Sequence, residues 1–185
     1  VKKGKDSVAV ARRYCGRLGK IENWQSGVYL AYTSTKGYAL IDRRLFVPEK
    51  WFGQEYEERR KKCKMPQDLV FKKKPELANE MIQEVCKSGL FSFRWVTCDT
   101  IFGNSPEFLQ NLPEHVFCLA EIAKNRKVWI KPEESRDRKK RPPVSVSDIA
   151  RDEKVAWKLT KLAEGAKGPI LGFVSRVRVY VDEPG

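Results

Sequence analysis

The stretch of this 185-residue chain best suited to chemistry is Phe93-Arg94-Trp95-Val96-Thr97-Cys98-Asp99-Thr100-Ile101-Phe102-Gly103-Asn104-Ser105-Pro106. Aromatic and β-branched residues lead into a lone carboxylate, Asp99. A glycine turn follows, then Ser105 and Pro106 as the N-cap and first residue of a helix. A carboxylate at the carboxyl end of a strand in a mixed α/β sheet lies on the rim where such folds place their chemistry. The chemistry open to it there is metal ligation, but a hard divalent cation takes several oxygen ligands and one Asp does not suffice. The competing reading is local, since an Asp between strand and helix also caps or turns the chain.

The elements that must position Asp99 begin well upstream. Gln25 to Ser34 is rich in apolar, aromatic and β-branched residues, Thr35-Lys36-Gly37 makes a turn, and Tyr38 to Val47 continues as a second extended run closed by Pro48. Two such runs around a short Gly-containing loop predict a hairpin. A charged amphipathic stretch covers Gln54 to Lys64. From Pro75 to Lys87, Leu77, Ala78, Met81, Ile82, Val85 and Cys86 recur at helical spacing, and Ser88-Gly89 stops the helix. The strand ending at Asp99 comes next. Hairpin, helix and acid-bearing strand follow one another as the second strand, third strand, helix and fourth strand of an RNase H-like domain, an order that other α/β domains share.

Several short motifs, in order, resemble bacterial insertion-sequence transposases of the DDE superfamily. They are Gly4 to Lys20 (GKDSVAVARRYCGRLGK), Asn23-Trp24-Gln25, Tyr38 to Pro48 (YALIDRRLFVP), Lys74 to Ala78 (KPELA), Phe93 to Thr97 with Asp99 and Gly103, and Gly165 to Pro169 (GAKGP). The resemblance spans nearly the whole chain. It departs at Trp24, where the family usually has a small residue or Cys, and at Phe102, where it usually has Tyr. The resemblance implies an α/β (α+β) fold, a partial RNase H-like mixed sheet with a β-rich insertion. It also implies metal-dependent cleavage and transfer of DNA strands, with two Mg²⁺ (or Mn²⁺) ions held by carboxylates roughly 3.5–4 Å apart.

Asp99 matches the second acidic position of that family, and the resemblance makes it catalytic and a metal ligand. The family's first Asp precedes a segment like Val1 to Lys5, and its final Glu follows the part matched by Arg176 to Gly185. The chain is therefore expected to be truncated at both ends and inactive alone. Asp6, Asp42 and Glu121 are the nearest acids in sequence, and none fits the motif positions. The alternative is a basic nucleic-acid-binding module without catalysis.

Composition agrees with a DNA partner: formal charge is +13 and the pI about 9.6, so attraction to polyphosphate is expected. Basic residues gather at Lys2 to Lys20, at Arg59 to Lys62 with Lys72 to Lys74, and at Arg136 to Arg141. The DNA-contacting candidates are Lys2, Lys3, Lys5, Arg12, Arg13, Arg17, Lys20, Arg138, Lys139, Lys140 and Arg141. A solvated face or linker accounts for such runs equally well.

Other chemistries find little support. The single His115 follows Leu112-Pro113-Glu114 at an expected strand start and suits a surface or packing role. The five cysteines form no C-x-x-C pair, and Cys86 and Cys98 read as small hydrophobes, which points to a reducing cytoplasm, here bacterial. No apolar run is long enough to span a bilayer, and Gly165-Ala166-Lys167-Gly168 lacks the spacing and Ser/Thr of a P-loop.

By composition the chain divides into a core over residues 1–131, a basic Pro-bounded linker over 132–143 and a β-rich region over 144–185. Strands are expected at Val116 to Ala123, Lys127 to Ile130, Trp157 to Leu162 and Ile170 to Val181, with a short helix from Ser147 to Lys154. In the last strand Arg178 and Tyr180 should face outward. A core lacking a central strand would leave a naked sheet edge and a tendency to self-association.

Overall fold

The computed structural model describes residues 6–16, 18–131 and 142–181. The chain forms two compact units, Val1–Ala120 and Glu121–Gly185. Among the described residues the architecture is α+β, with four antiparallel strand pairs, one parallel pair and short helices.

In the first unit, strands β1 (Ala11–Cys15) and β2 (Lys20–Trp24) form one hairpin, and β3 (Ser26–Ser34) and β4 (Gly37–Phe46) form a second. The second is the expected one. Val28 points into the core and Tyr29 to solvent, as the period of two requires. Ser34 Oγ accepts the Lys36 N–H at 3.2 Å in the turn. Two 3₁₀ turns (Glu49–Phe52 and Gln54–Tyr56) and α1 (Glu57–Lys62) follow.

Helix α2 (Lys74–Ser88) starts with the Glu76 side chain accepting the Lys73 N–H. It ends where Gly89, at φ +64°, donates its N–H to the Cys86 carbonyl. A side chain on Gly89 would meet nothing within 4 Å, so the backbone conformation and not space selects glycine. Leu77, Ala78, Met81 and Ile82 are buried with Val28 and Phe108, and Leu30, Phe46, Val96 and Cys98 pack around them. Arg44 on β4 reaches Glu84 on α2 at 2.6 Å. A second core joins Ala9, Val47, Trp51 and Met65. Burial pushes the Cys86 thiol up, in keeping with an inert small hydrophobe.

Strand β5 (Trp95–Cys98) pairs in parallel with β6 (Phe117–Ala120), and α3 (Thr100–Gly103) and α4 (Pro106–Gln110) connect them. Ser105 Oγ accepts the Phe108 N–H at 3.2 Å, making it the N-cap of α4 as the Ser-Pro pair predicts.

In the second unit β7 (Lys127–Val128) pairs with β8 (Val144–Ser145), which leads into α5 (Val146–Arg151). β9 (Lys158–Gly165) and β10 (Gly168–Val174) form a long hairpin. A Cβ on Gly165 would lie 2.9 Å from the Gly168 carbonyl oxygen, so the tight turn excludes a side chain there.

Three expectations need correction. The hairpin β3–β4 and the strand before Asp99 do not belong to one mixed sheet: they are separate pairs. Both turn their apolar faces toward α2 side chains, so they share a core while their edges are not hydrogen-bonded to each other. The last strand ends at Val174 and not at Val181. Past it, among the described residues, only Tyr180 bridges, to Trp129, and Tyr180 is half-buried while Arg178 is exposed. The hairpin β1–β2, read only as a basic stretch, is a further element. Of the expected linker, residues 132–141 lie outside the described residues.

Candidate active site

Asp99 directly follows Cys98, the last residue of β5 paired with β6 (Cys98↔Ala120). Its backbone is still extended, at φ −81° and ψ −178°. The side chain is exposed, and Oδ1 accepts the Ile101 N–H at 2.9 Å. The Asp99 carbonyl accepts from Phe102 and Gly103 at 3.2 and 2.9 Å. Asp99 thus lies one residue past the strand and is the N-cap of α3, as the local reading of its sequence context expects. The cap uses one carboxylate oxygen, and Oδ2 accepts no hydrogen bond among the described residues.

The basic candidates fare unequally. On β1 the alternation sends Ala11, Arg13 and Cys15 inward and Arg12 and Tyr14 outward. Arg12 is therefore exposed and Arg13 half-buried. Arg13 Cζ lies 5.3 Å from the Trp24 ring centroid and 5.4 Å from that of Phe46. Its Nε and Nη2 are shielded from solvent and have no hydrogen-bond partner among the described residues. Lys20 is exposed and paired with Glu22 at 3.1 Å. Lys2, Lys3, Lys5, Arg17, Arg138, Lys139, Lys140 and Arg141 lie outside the described residues.

Lys74 is the residue that sequence reasoning missed. Within the Lys72-Lys73-Lys74 run, Lys72 pairs with Glu80 at 2.6 Å and Lys73 is exposed. Lys74 instead places Nζ 5.4 Å from the Phe46 centroid, the ring that also carries Arg13. Burial holds the Lys74 ammonium below its ordinary range, Arg13 pushes it the same way, and Asp99 opposes both. Burial lowers Arg13 as well, though a guanidinium stays charged. Cation–ring contacts contribute about 0.5–1 kcal/mol when exposed, whereas a buried charged donor without an acceptor costs at least about 1–3 kcal/mol. The rings alone do not offset that. One signal was available: a lysine in the first turn of a helix opposes the helix dipole, which implies that something other than helix stability holds it there.

A family model described as DDE superfamily endonuclease matches residues 1–170. The chain belongs to the DDE superfamily. No curated protein and no solved structure matches it. Membership implies DNA as the substrate class and, in general, divalent metal chemistry.

The described part of this DDE-superfamily chain does not by itself fit a metal centre. Among the described residues no group of three or more His, Cys, Asp and Glu side chains converges. Asp6 is paired with Lys62 at 2.9 Å and Asp42 with Arg44 at 2.5 Å. Glu121 opens the second unit and is exposed, as is His115. No disulfide joins any of the five cysteines. Among the described residues no helix is long and apolar enough to cross a membrane. Trp24 lies against Arg13, and the Phe102 ring meets that of Phe108 at a tilt of 52° with centroids 5.4 Å apart.

Proposed function

We propose that this chain is part of the catalytic domain of a DNA transposase, built on an RNase H-like framework, and that Asp99 is the second member of its acidic set. One observation carries the reading: Asp99 stands one residue past the end of a parallel strand pair, exposed, with one oxygen held by the α3 cap and the other open. The family match, which covers this position, supports it. In this reading Asp99 ligates Mg²⁺ or Mn²⁺ together with carboxylates other than those described. The core runs to about residue 131, a basic linker spans 132–143 and the β-rich insertion spans 144–185.

The exposed cations Arg12 and Lys20, within a chain of net charge +13, meet the DNA backbone. Binding of this kind has dissociation constants around 10⁻⁴–10⁻⁶ M at physiological salt and weakens steeply as salt rises. With Asp99 the one carboxylate at the site among the described residues, the 185-residue chain on its own is expected not to nick DNA when Mg²⁺ or Mn²⁺ is added.

Nicking of supercoiled plasmid by the longest natural form of the protein tests the role of Asp99. Asp99→Asn keeps a good N-cap residue and removes the charge, so nicking should vanish while DNA binding persists. Nicking that survives Asp99→Asn refutes the assignment. DNA binding without nicking in the unsubstituted long form favours the non-catalytic binding module instead.

A further inference from the structure

We propose that Arg13 and Lys74 form a seat for one DNA backbone phosphate beside Asp99, resting on the reading of DNA as substrate given above. Three features of the structure converge on it. Both cations lie 5.4 Å from the centroid of a single ring, Phe46, although they come from β1 and the first turn of α2. Like charges so placed repel, and the arrangement is relieved when an anion binds to both. Arg13 holds Nε and Nη2 out of water with no acceptor among the described residues. Those two nitrogens are closed off as the side chain stands, so a phosphate meets the guanidinium at its remaining Nη1 or on a turn of the side chain.

Charge supplies the third feature. Arg13 and Lys74 work against each other, and Asp99 offsets part of that at Lys74. An anionic phosphodiester relieves the rest. Trp24 walls the seat: its ring lies against Arg13, and its Nε1–H donates to the Arg13 carbonyl at 3.2 Å.

A seat that needs both cations at once sets the test, because losing either one removes it. The affinity of the 185-residue chain for a fluorescent DNA duplex is measured by anisotropy across a salt series, with Arg13→Gln, Lys74→Met and the double variant. Each phosphate neutralised contributes about 0.9 to the slope of log K against log salt. Each single variant should therefore lower the slope by about 0.9, and the double variant by no more than either single one. Unchanged slopes, or a double variant that loses twice as much, overturn the seat.

Because Arg13→Gln can disturb β1, a second readout uses only Lys74→Met. The indole N–H resonance of Trp24, assigned through Trp24→Phe, should shift when duplex is added to the unsubstituted chain and stay still in Lys74→Met. A resonance that moves with inorganic phosphate and not with duplex identifies a free-anion site and overturns the proposal. If Asp99→Asn abolishes nicking while these slopes are unchanged, the seat falls and strand cleavage stands. The opposite pattern removes the cleavage assignment and keeps the seat.

Discussion

Trp51 is the side chain on which the placement of β1 depends, and replacing it with Phe gives a quantitative test. It is fully buried, and its Nε1–H donates to the Val10 carbonyl at 3.0 Å, one residue before β1 begins. Val10 is itself 3% exposed, so water does not replace the lost donor. Leaving that carbonyl unpaired costs about 1–3 kcal/mol. The smaller ring sheds apolar contact worth about 1 kcal/mol more. The Trp51–Tyr56 ring contact, with centroids 5.2 Å apart, survives in part with Phe.

Together these terms predict a loss of about 2–4 kcal/mol. With a urea dependence of about 2 kcal/mol/M, the unfolding midpoint falls by roughly 1–2 M. Far-UV circular dichroism in urea reads this without relying on the altered tryptophan emission. Trp95→Phe is the matched control: Trp95 is 59% exposed on the outer face of β5, so its replacement should change stability by less than about 0.5 kcal/mol. A Trp51→Phe loss below about 1 kcal/mol, or one no larger than that of the control, refutes the anchoring of Val10 by the indole.

Two smaller perturbations probe local steps of the same kind. Gly89→Ala forces a side chain into a left-handed backbone (φ +64°) with open space around it, so the penalty is conformational alone: about 1–2 kcal/mol, read as a lower urea midpoint. Ser145, through its hydroxyl and its backbone N–H, holds the Asp148 carboxyl below the usual carboxylate range. A depressed acid contributes stability that is present above its unfolded pKa and lost as pH falls through its folded one. The Ser145 amide should therefore lose exchange protection as pH drops below the ordinary Asp value of 3.8, and Asp148→Asn should flatten that dependence.

What the sequence made legible follows from which forces act locally. The β3–β4 hairpin and α2 are written in short-range periodicity and in turn or stop residues, Thr35-Lys36-Gly37 and Ser88-Gly89, and both formed within a residue or two of expectation. The β1–β2 hairpin was hidden because Arg13 takes an inward position, where a charge normally argues against a strand. Val177 to Val181 alternates as a strand does, but alternation specifies a face and not a partner. Beyond Val174 only Tyr180 finds one. The single sheet expected around Asp99 failed for a related reason, since the order of elements says which follow one another and not which edges meet.

The proposed site was legible in sequence at Asp99 and illegible at Lys74 for one physical reason. A carboxylate at a strand-to-helix junction is exceptional in its local context, whereas a lysine among lysines is not. Only long-range packing separates the three. Glu80 takes Lys72, Lys73 is left in solvent, and Phe46 draws Lys74 toward Arg13. The same packing gives Asp99 its double part. Holding Oδ1 in the cap of α3 fixes the carboxylate plane, so Oδ2 is presented in one direction and not over a free rotor's range. For the metal ligation proposed for Asp99 that restriction is an advantage, because orientation accounts for much of what such centres achieve. Capping and the proposed ligation would draw on the same residue without competing for the same oxygen.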